Sequence, residues 1–374
     1  MGPVGTCLVI PTPPDPFDEW LAVPIGAESN DPRFEVRRVR PEEFDRIYDC
    51  VDAAFGKKRP RKLYDWLYRA NPYGLARVWI TAEKESGRVL KTGAYFPWPI
   101  WCGDEARRGS LAGDAGTVPD WQRKGLSADR RRVRKSHPWH RSIVTIAGPN
   151  EGSRVVNIKA GEGSSILGPL RGGVAVLRAR PLLERGGLPS WLAEPLGAIT
   201  TPIFSSWTRL GARSHSAIRF QPLSRFETAF DEITLRTMGF PMYWCPHNAD
   251  WLNWRYLDHP AEPYQAFALV EDDRPIGYSV LRLAGDEATL SEFAVAPDRA
   301  AALMAGCLDV ARAAGCAWVN FFAPPRWRHW RTFRRAGFLP YTSKNYLDAK
   351  DWADVAGSER MDAWQVTPGD RDFH

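Results

Sequence analysis

The sequence predicts an α/β protein of the α+β kind, built as two similar domains that each hold a mixed, mostly antiparallel sheet flanked by helices. Two observations carry that prediction. Segments alternating every second residue, such as 34–39 and 78–81, are interleaved with stripes at helical spacing, such as Phe44, Ile47, Tyr48, Val51 and Phe55. The order strand, two helices, three strands, turn, helix, strand, helix then starts again near residue 217, at a period of roughly 180 to 190 residues, too long for a solenoid. Within that repeat, residues 251–257 parallel 63–69, and each is followed by a proline turn, at Pro260 and Pro72.

Taken in order, residues 1–32 are rich in proline, with Pro11, Pro13, Pro14 and Pro16 close together, and predict an extended arm that packs through Phe17, Trp20 and Leu21. Residues 33–180 form the first predicted domain. Its opening strand is followed by Pro41, Glu42 and Glu43, which start a helix in the favoured way. A second helix ends at Asn71-Pro72-Tyr73-Gly74, and strands run from Ala76 to Thr117. Residues 181–216 are punctuated by Gly186, Gly187, Pro189, Pro195 and Gly197 and read as a connector containing a helix. Residues 217–374 repeat the first order as the second domain.

Bulk properties narrow the function. With 374 residues, 44% hydrophobic and 25% charged, the chain is a soluble globular type with room for two cores. Its 17 tryptophans are read as core and interface filler. The formal charge of +6 suits an anionic ligand. Nucleic acid is not expected as a partner, because no zinc-finger spacing or RNA-recognition signature accompanies the charge. The six cysteines, at 7, 50, 102, 245, 307 and 316, show no close pair and no metal-ligand spacing, so reduced thiols in a cytoplasm and no bound metal are expected. No run of about 18 apolar residues and no signal peptide is seen, so no membrane role is expected.

The most informative stretch is Gly113-Asp114-Ala115-Gly116-Thr117-Val118-Pro119-Asp120-Trp121-Gln122-Arg123-Lys124-Gly125-Leu126-Ser127. It predicts a strand end, a short turn with a glycine in it, and a helix start that Ser127 would cap. Consecutive amides in such a turn, together with the positive end of the helix dipole, form a cradle for an anion, with Arg123 and Lys124 at its rim. The pattern Gln-x-x-Gly-x-Ser after Gly-Thr-Val-Pro-Asp resembles the acyl-CoA loop of the GNAT (N-acetyltransferase) superfamily, usually Gln/Arg-x-x-Gly-x-Gly/Ala. The resemblance implies acetyl-CoA or another acyl-CoA as co-substrate, held by Gln122, Arg123, Lys124, Gly125, Leu126 and Ser127. It also implies a splayed strand whose backbone at Gly116, Thr117 and Val118 faces the pantetheine arm. In the second domain the matching stretch reads Asp298-Arg299-Ala300-Ala301-Ala302, without glycine, so a single acyl-CoA site is expected, in the first domain.

Acyl transfer to an amine needs a neutral nucleophile, alignment and a donor for the oxyanion. Strand alternation directs Asp114 to the face of Gly116 and Val118, making it the candidate base, with Glu105 and Glu151 as others. The resemblance matches Asn150 to a family asparagine near the coenzyme. It places Asn157 where many members carry the tyrosine that protonates the leaving thiolate. Ser153, Tyr73, Tyr95 or solvent are then the remaining acids. His137 and His140 are not read as a metal pair, because Pro138 breaks helical spacing. Residues 364–372 resemble the tail of bacterial two-domain GNAT-like proteins often linked with surface-polysaccharide genes, with Asp370 and Asp372 expected on an exposed terminus. Together these imply a tandem-domain N-acyltransferase acting on a primary amine of a small molecule, an amino sugar or polysaccharide precursor being favoured. Alternatives are a GNAT-derived ligand-binding module without turnover, and aminoacyl-tRNA-dependent peptidyl transfer on the same fold. The oligomeric state is left open.

Overall fold

The computed structural model describes residues 17–159, 165–211, 218–237 and 242–371. Pro11 to Pro16 of the predicted arm and Asp372 lie outside the described residues. The described chain divides into a first unit of residues 17–168 and 346–363 and a second of 169–345 and 364–371.

In the first unit, one stretch of the predicted arm is not extended but helical, α1 (Phe17–Ala22). Trp20 is buried edge-on against Trp79 and Trp139, at ring distances of 6.3 and 6.1 Å. β1 (Phe34–Arg38) leads to α2 (Phe44–Phe55) and α3 (Arg61–Tyr68). Phe44, Ile47, Tyr48 and Val51 of α2 are fully buried, as their spacing requires, whereas Phe55 is exposed. Gly56, at φ 63°, ends α2 in the left-handed conformation, and its amide bonds back to Asp52. Strands β2 (Arg77–Glu83), β3 (Val89–Cys102) and β4 (Glu105–Gly113) form an antiparallel meander with β1. α4 (Leu126–Ser136), β5 (Val144–Ala147) and α5 (Glu151–Lys159) follow, β5 lying parallel to β4.

The second unit takes β6 (Ile166–Val176) from Pro169 onward, then α6 (Ala179–Arg185) and α7 (Ser190–Gly211). These helices fill the stretch read as a connector containing a helix: α7 packs on α6 along one face and exposes Trp191, Ile199 and Ile203 on another. β7 (Ile218–Leu223), α8 (Ala229–Thr237), β8 (Tyr243–Trp244) and α9 (Ala249–Leu252) come next, and α9 runs into a π-turn over Asn253–Leu257. β9 (Tyr264–Glu271), β10 (Arg274–Ala284), β11 (Glu287–Val295), α10 (Ala300–Ala313), β12 (Trp318–Ala323) and α11 (Trp330–Arg335) then repeat the first unit's order. Leu303, Cys307 and Leu308 of α10 are fully buried in one core with Leu281, Leu290 and Val319 of the sheet.

The strands of each unit follow the same plan, with one exchange. In the second unit β12 pairs antiparallel with β6, which precedes that unit's other strands in sequence. In the first unit the equivalent neighbour of β5 is the last part of β13 (Phe338–Asp351), with Asp348 opposite Ala147 and Asp351 opposite Val144. The units therefore depart from the predicted boundaries. Residues 169–180 belong to the second unit, and 346–363 return to the first before β14 (Trp364–Gln365) pairs with β8 in the second.

Candidate functional site

β4 and β5 pair in parallel at Gly109 with Val144, Ser110 with Thr145 and Leu111 with Ile146, and among the described residues the pairing ends there. β4 instead stays with β3 as far as Gly113 opposite Ala94. The chain kinks at Asp114, a non-glycine residue at φ 46°, and rejoins β3. There the Thr92 amide donates to the Gly116 carbonyl and the Val118 amide to the Leu90 carbonyl, both at 3.0 Å, with Lys91 opposite Thr117. Backbone groups alternate along an antiparallel pair, so the Thr117 N–H and C=O point away from β3, into the gap that β5 leaves. The carbonyl accepts the Gln122 side-chain amide at 3.2 Å. Among the described residues no acceptor is placed on the N–H, which remains as a donor into the gap.

The loop that follows is preorganised for an anion. Arg123 and Gly125 both have positive φ, 63° and 85°, and Gly125 is the N-cap of α4. Ser127 therefore lies inside the helix and does not cap it, a correction to the sequence reading. Among the described residues, no acceptor is placed on the amides of Arg123, Lys124, Gly125, Leu126 or Ser127. A Cβ on Gly125 would meet nothing within 4 Å, so the space over the cradle is open. Arg123 is exposed at the rim, and the exposed Lys124 lies with its Nζ 4.5 Å from the Trp121 ring centre. Leu126 instead points inward, buried with Cys50, Leu90 and Val118. A diphosphate with its negative charge fits this donor set.

Packing against α2 confines position 116 to glycine. An added Cβ would sit 2.6 Å from the Ala54 Cβ at the end of α2. Gly116→Ala is expected to lower stability by about 1–3 kcal/mol through overpacking. Its check is a denaturation midpoint, with ligand affinity unchanged.

Asp114 is not placed as a base. Its Oδ1 takes the Arg59 guanidinium at 2.9 Å and its Oδ2 the Tyr68 hydroxyl at 2.9 Å, and its side chain is 4% exposed. The second unit shows what this arrangement is for. By the register of the parallel pairs, Thr289 of β11 stands where Leu111 stands in β4, which puts Glu292 in the place of Asp114. Glu292 accepts the Tyr256 hydroxyl at 2.6 Å, and Tyr256 aligns with Tyr68 in the repeat. A buried tyrosine–carboxylate bond thus recurs in the unit that lacks the glycine loop, tying the helix before β2 or β9 to the central strand. Burial and the neighbouring carboxylate raise both tyrosines well above the ordinary phenol range, so both stay donors. The preceding turns are duplicated too: Asn71 Oδ1 accepts the Tyr73 amide, and His259 Nδ1 accepts the Ala261 amide.

Asn150 caps α5, its Oδ1 accepting the Ser153 amide at 2.8 Å. Ser153 is partly buried in that first turn, and Glu151 is exposed beside it, as is Glu105 at the start of β4. Asn157 donates to Asp348 Oδ2 at 3.0 Å, and the Tyr346 ring centre lies 3.7 Å from the Arg154 guanidinium carbon. These β13 residues escaped the sequence reading because they stand far along the chain; no local signal marks them. Tyr73 is buried beside Asn71, and the buried Tyr95 hydroxyl accepts from Arg134. His137 and His140 are buried beside Trp79 and Trp352. In the second unit no residue of 296–302 has positive φ, and Arg299, the N-cap of α10, is engaged by Glu271 at 3.0 Å. Asp370, expected to be exposed, is fully buried and bonded to His247 at 2.8 Å.

No protein-family profile matches the sequence, and no curated protein matches it. Solved structures do. The chain is similar to a conserved protein of unknown function from Enterococcus faecalis V583, described as a probable N-acyltransferase, with TM-score 0.60 and 11% identity over 86% of this chain and 73% of that one. It is similar to a GCN5-related N-acetyltransferase from Anabaena variabilis ATCC 29413, with TM-score 0.57, 11% identity and the same coverages. A third likeness is to the Saccharomyces cerevisiae N-myristoyltransferase with bound myristoyl-CoA, with TM-score 0.55 and 10% identity over 88% of this chain and 85% of that one. The fold is therefore the one these N-acyltransferases share. Among the described residues, no helix is long and apolar enough to cross a membrane.

Proposed function

We propose that the protein is a GNAT-type N-acyltransferase that moves an acetyl or other acyl group from acyl-CoA to the primary amine of a small-molecule acceptor, an amino sugar or polysaccharide precursor. The observation that carries this reading is the row of unengaged amides from Arg123 to Ser127, set beside a strand gap into which the Thr117 N–H projects. The loop amides and the α4 dipole would hold the coenzyme's diphosphate. The Thr117 N–H would donate to the thioester carbonyl and more strongly to the oxyanion formed when the amine attacks its carbon. Collapse of that intermediate forms the amide and releases the coenzyme as thiolate, and the amine's proton passes to solvent. Asp114 is excluded from this path by its bonds to Arg59 and Tyr68.

Asp114→Asn is accordingly expected to cost about 3–5 kcal/mol of stability, because it leaves Arg59 buried without its carboxylate. The pH–rate profile of the folded fraction should keep its shape. Loss of one limb of that profile would restore Asp114 as the base.

A second reading, a ligand-binding module without turnover, is favoured by Asn157, which stands at the position the resemblance gives to the thiolate's proton donor and is bonded to Asp348. One experiment separates the two: calorimetric titration with acetyl-CoA, then free-thiol release with a panel of amines including amino sugars. Binding with thiol release supports transfer, binding without release from any amine supports the module, and no binding rejects both.

A further inference from the structure

Beneath α4 lies a lysine that the proposed reaction does not use. Lys91 of β3 is 6% exposed, and its Nζ donates to the Thr117 Oγ1 at 2.9 Å. Thr117 is the residue whose N–H faces the strand gap and whose carbonyl holds Gln122 at the start of the phosphate loop. Lys91 shares a sheet face with Gly93, where a Cβ would sit 2.4 Å from the Arg130 guanidinium, so that face lies directly under α4. The charged and titratable groups acting on Lys91 are Arg130 and Arg131 from α4 and Cys50 from α2, and its neighbours on the flanking strands, Thr81 and Thr117, carry no charge. No carboxylate is among them.

Among the described residues, a protonated Lys91 facing two guanidiniums has the Thr117 hydroxyl and the Cys50 thiol beside it but no carboxylate, so an incoming anion would stabilise its charge. Resting on the acyl-CoA reading above, we propose that Lys91 makes coenzyme binding proton-linked: largely neutral in the free protein at alkaline pH, it accepts a proton as the coenzyme's diphosphate settles on the neighbouring loop. The site would then bind its anionic ligand with one more positive charge than the free protein displays. Burial, followed by Arg130 and Arg131, pushes the Lys91 amine down to about 7. A dianion nearby acts in the opposite direction. Cys50 stays a thiol through this range, because burial pushes it up to about 11.

The linkage has a definite sign. Binding takes up protons above pH 7, so affinity falls as pH rises. If the bound ligand raises the amine by one to two pH units, the loss between pH 7 and pH 9 is about tenfold. The test is calorimetric titration of the full chain with acetyl-CoA at pH 7, 8 and 9, each in two buffers of different ionisation enthalpy. The ligand's own phosphate titrates near pH 6, below this window. Fractional proton uptake at pH 8 is expected, together with the tenfold loss, and both should vanish in Lys91→Met. Binding without proton uptake in the native protein would overturn the proposal whether or not the variant folds, as would uptake that persists in Lys91→Met. Absence of acetyl-CoA binding at every pH would instead overturn the acyl-CoA reading, and this inference with it.

Discussion

Gly125→Glu is expected to weaken acetyl-CoA binding by at least about a hundredfold, or roughly 2.7 kcal/mol, while the protein stays folded. Two effects combine. The new carboxylate would project into open space over the amides of Arg123 to Ser127 and compete for donors that a diphosphate needs. It would also set a negative charge against the anion at the positive end of α4. The cost to the fold is separate and small, about 1 kcal/mol for a side chain at φ 85°. Gly125→Ala pays the same backbone cost without the charge and should lose much less affinity. Calorimetry on both variants, with thermal melts as a control, decides the matter. Equal affinities for native protein and Gly125→Glu would mean that the ligand does not sit on this loop.

That loop was legible in the sequence because its signal is local: a glycine at a left-handed position, basic flanks and a helix start lie within a few residues. The helical stripes and alternating strands were legible for the same reason. What the sequence hid is pairing at a distance. Leu347 and Ala349 alternate in burial like residues of any strand, and nothing in them says that β13 ends beside β5. Asn157 meets Asp348 and His247 meets Asp370 across more than a hundred residues of chain. Gly116 and Asp114 were ambiguous in the sequence for a related reason. A small residue or a carboxylate near a cleft has the same one-letter signature whether it faces the ligand or the α2 end and Arg59.

The internal duplication supplies a comparison that a single domain could not. Asp114–Tyr68 and Glu292–Tyr256 occupy matching places, yet only the first unit carries the glycine loop. A feature present in both units is explained by the architecture they share. A feature present in one, such as the loop or Lys91, calls for a reason specific to that unit. In the second unit the cation at the carboxylate is not an arginine but His247, and this creates the other large expected effect.

His247 is fully buried and stacked on Trp251 at 3.6 Å, with Asp370 on Nε2 at 2.8 Å and Glu292 on Nδ1 at 3.3 Å. Thr367 closes the cluster by donating to Glu292 at 2.8 Å, and Gly369 packs where a Cβ would sit 2.0 Å from the Tyr256 hydroxyl. The tail over Pro368–Asp370 is thus latched into the second unit by one imidazolium between two carboxylates. Burial alone would lower the His247 value, but Asp370 and Glu292 outweigh it and push it up to about 10. The folded-state value lies above the unfolded one, so the stabilisation is complete below about pH 6.5 and is lost as pH rises toward 10. The slope is at most about 1.4 kcal/mol per pH unit. Lys91 acts oppositely: its lowered value makes the folded chain gain stability as pH rises above 7, and in the whole protein the two trends offset each other. The measurement is therefore the difference in urea stability between Lys91→Met and Lys91→Met with His247→Gln, followed from pH 7 to pH 9. At pH 7 the histidine variant should be less stable by about 3–5 kcal/mol, because its carboxylates lose their buried partner. That gap should narrow steadily as pH rises, and proteolysis should release the tail first. A gap that is the same at pH 7 and pH 9 would mean that His247 is neutral in the folded protein and the latch is an ordinary hydrogen bond.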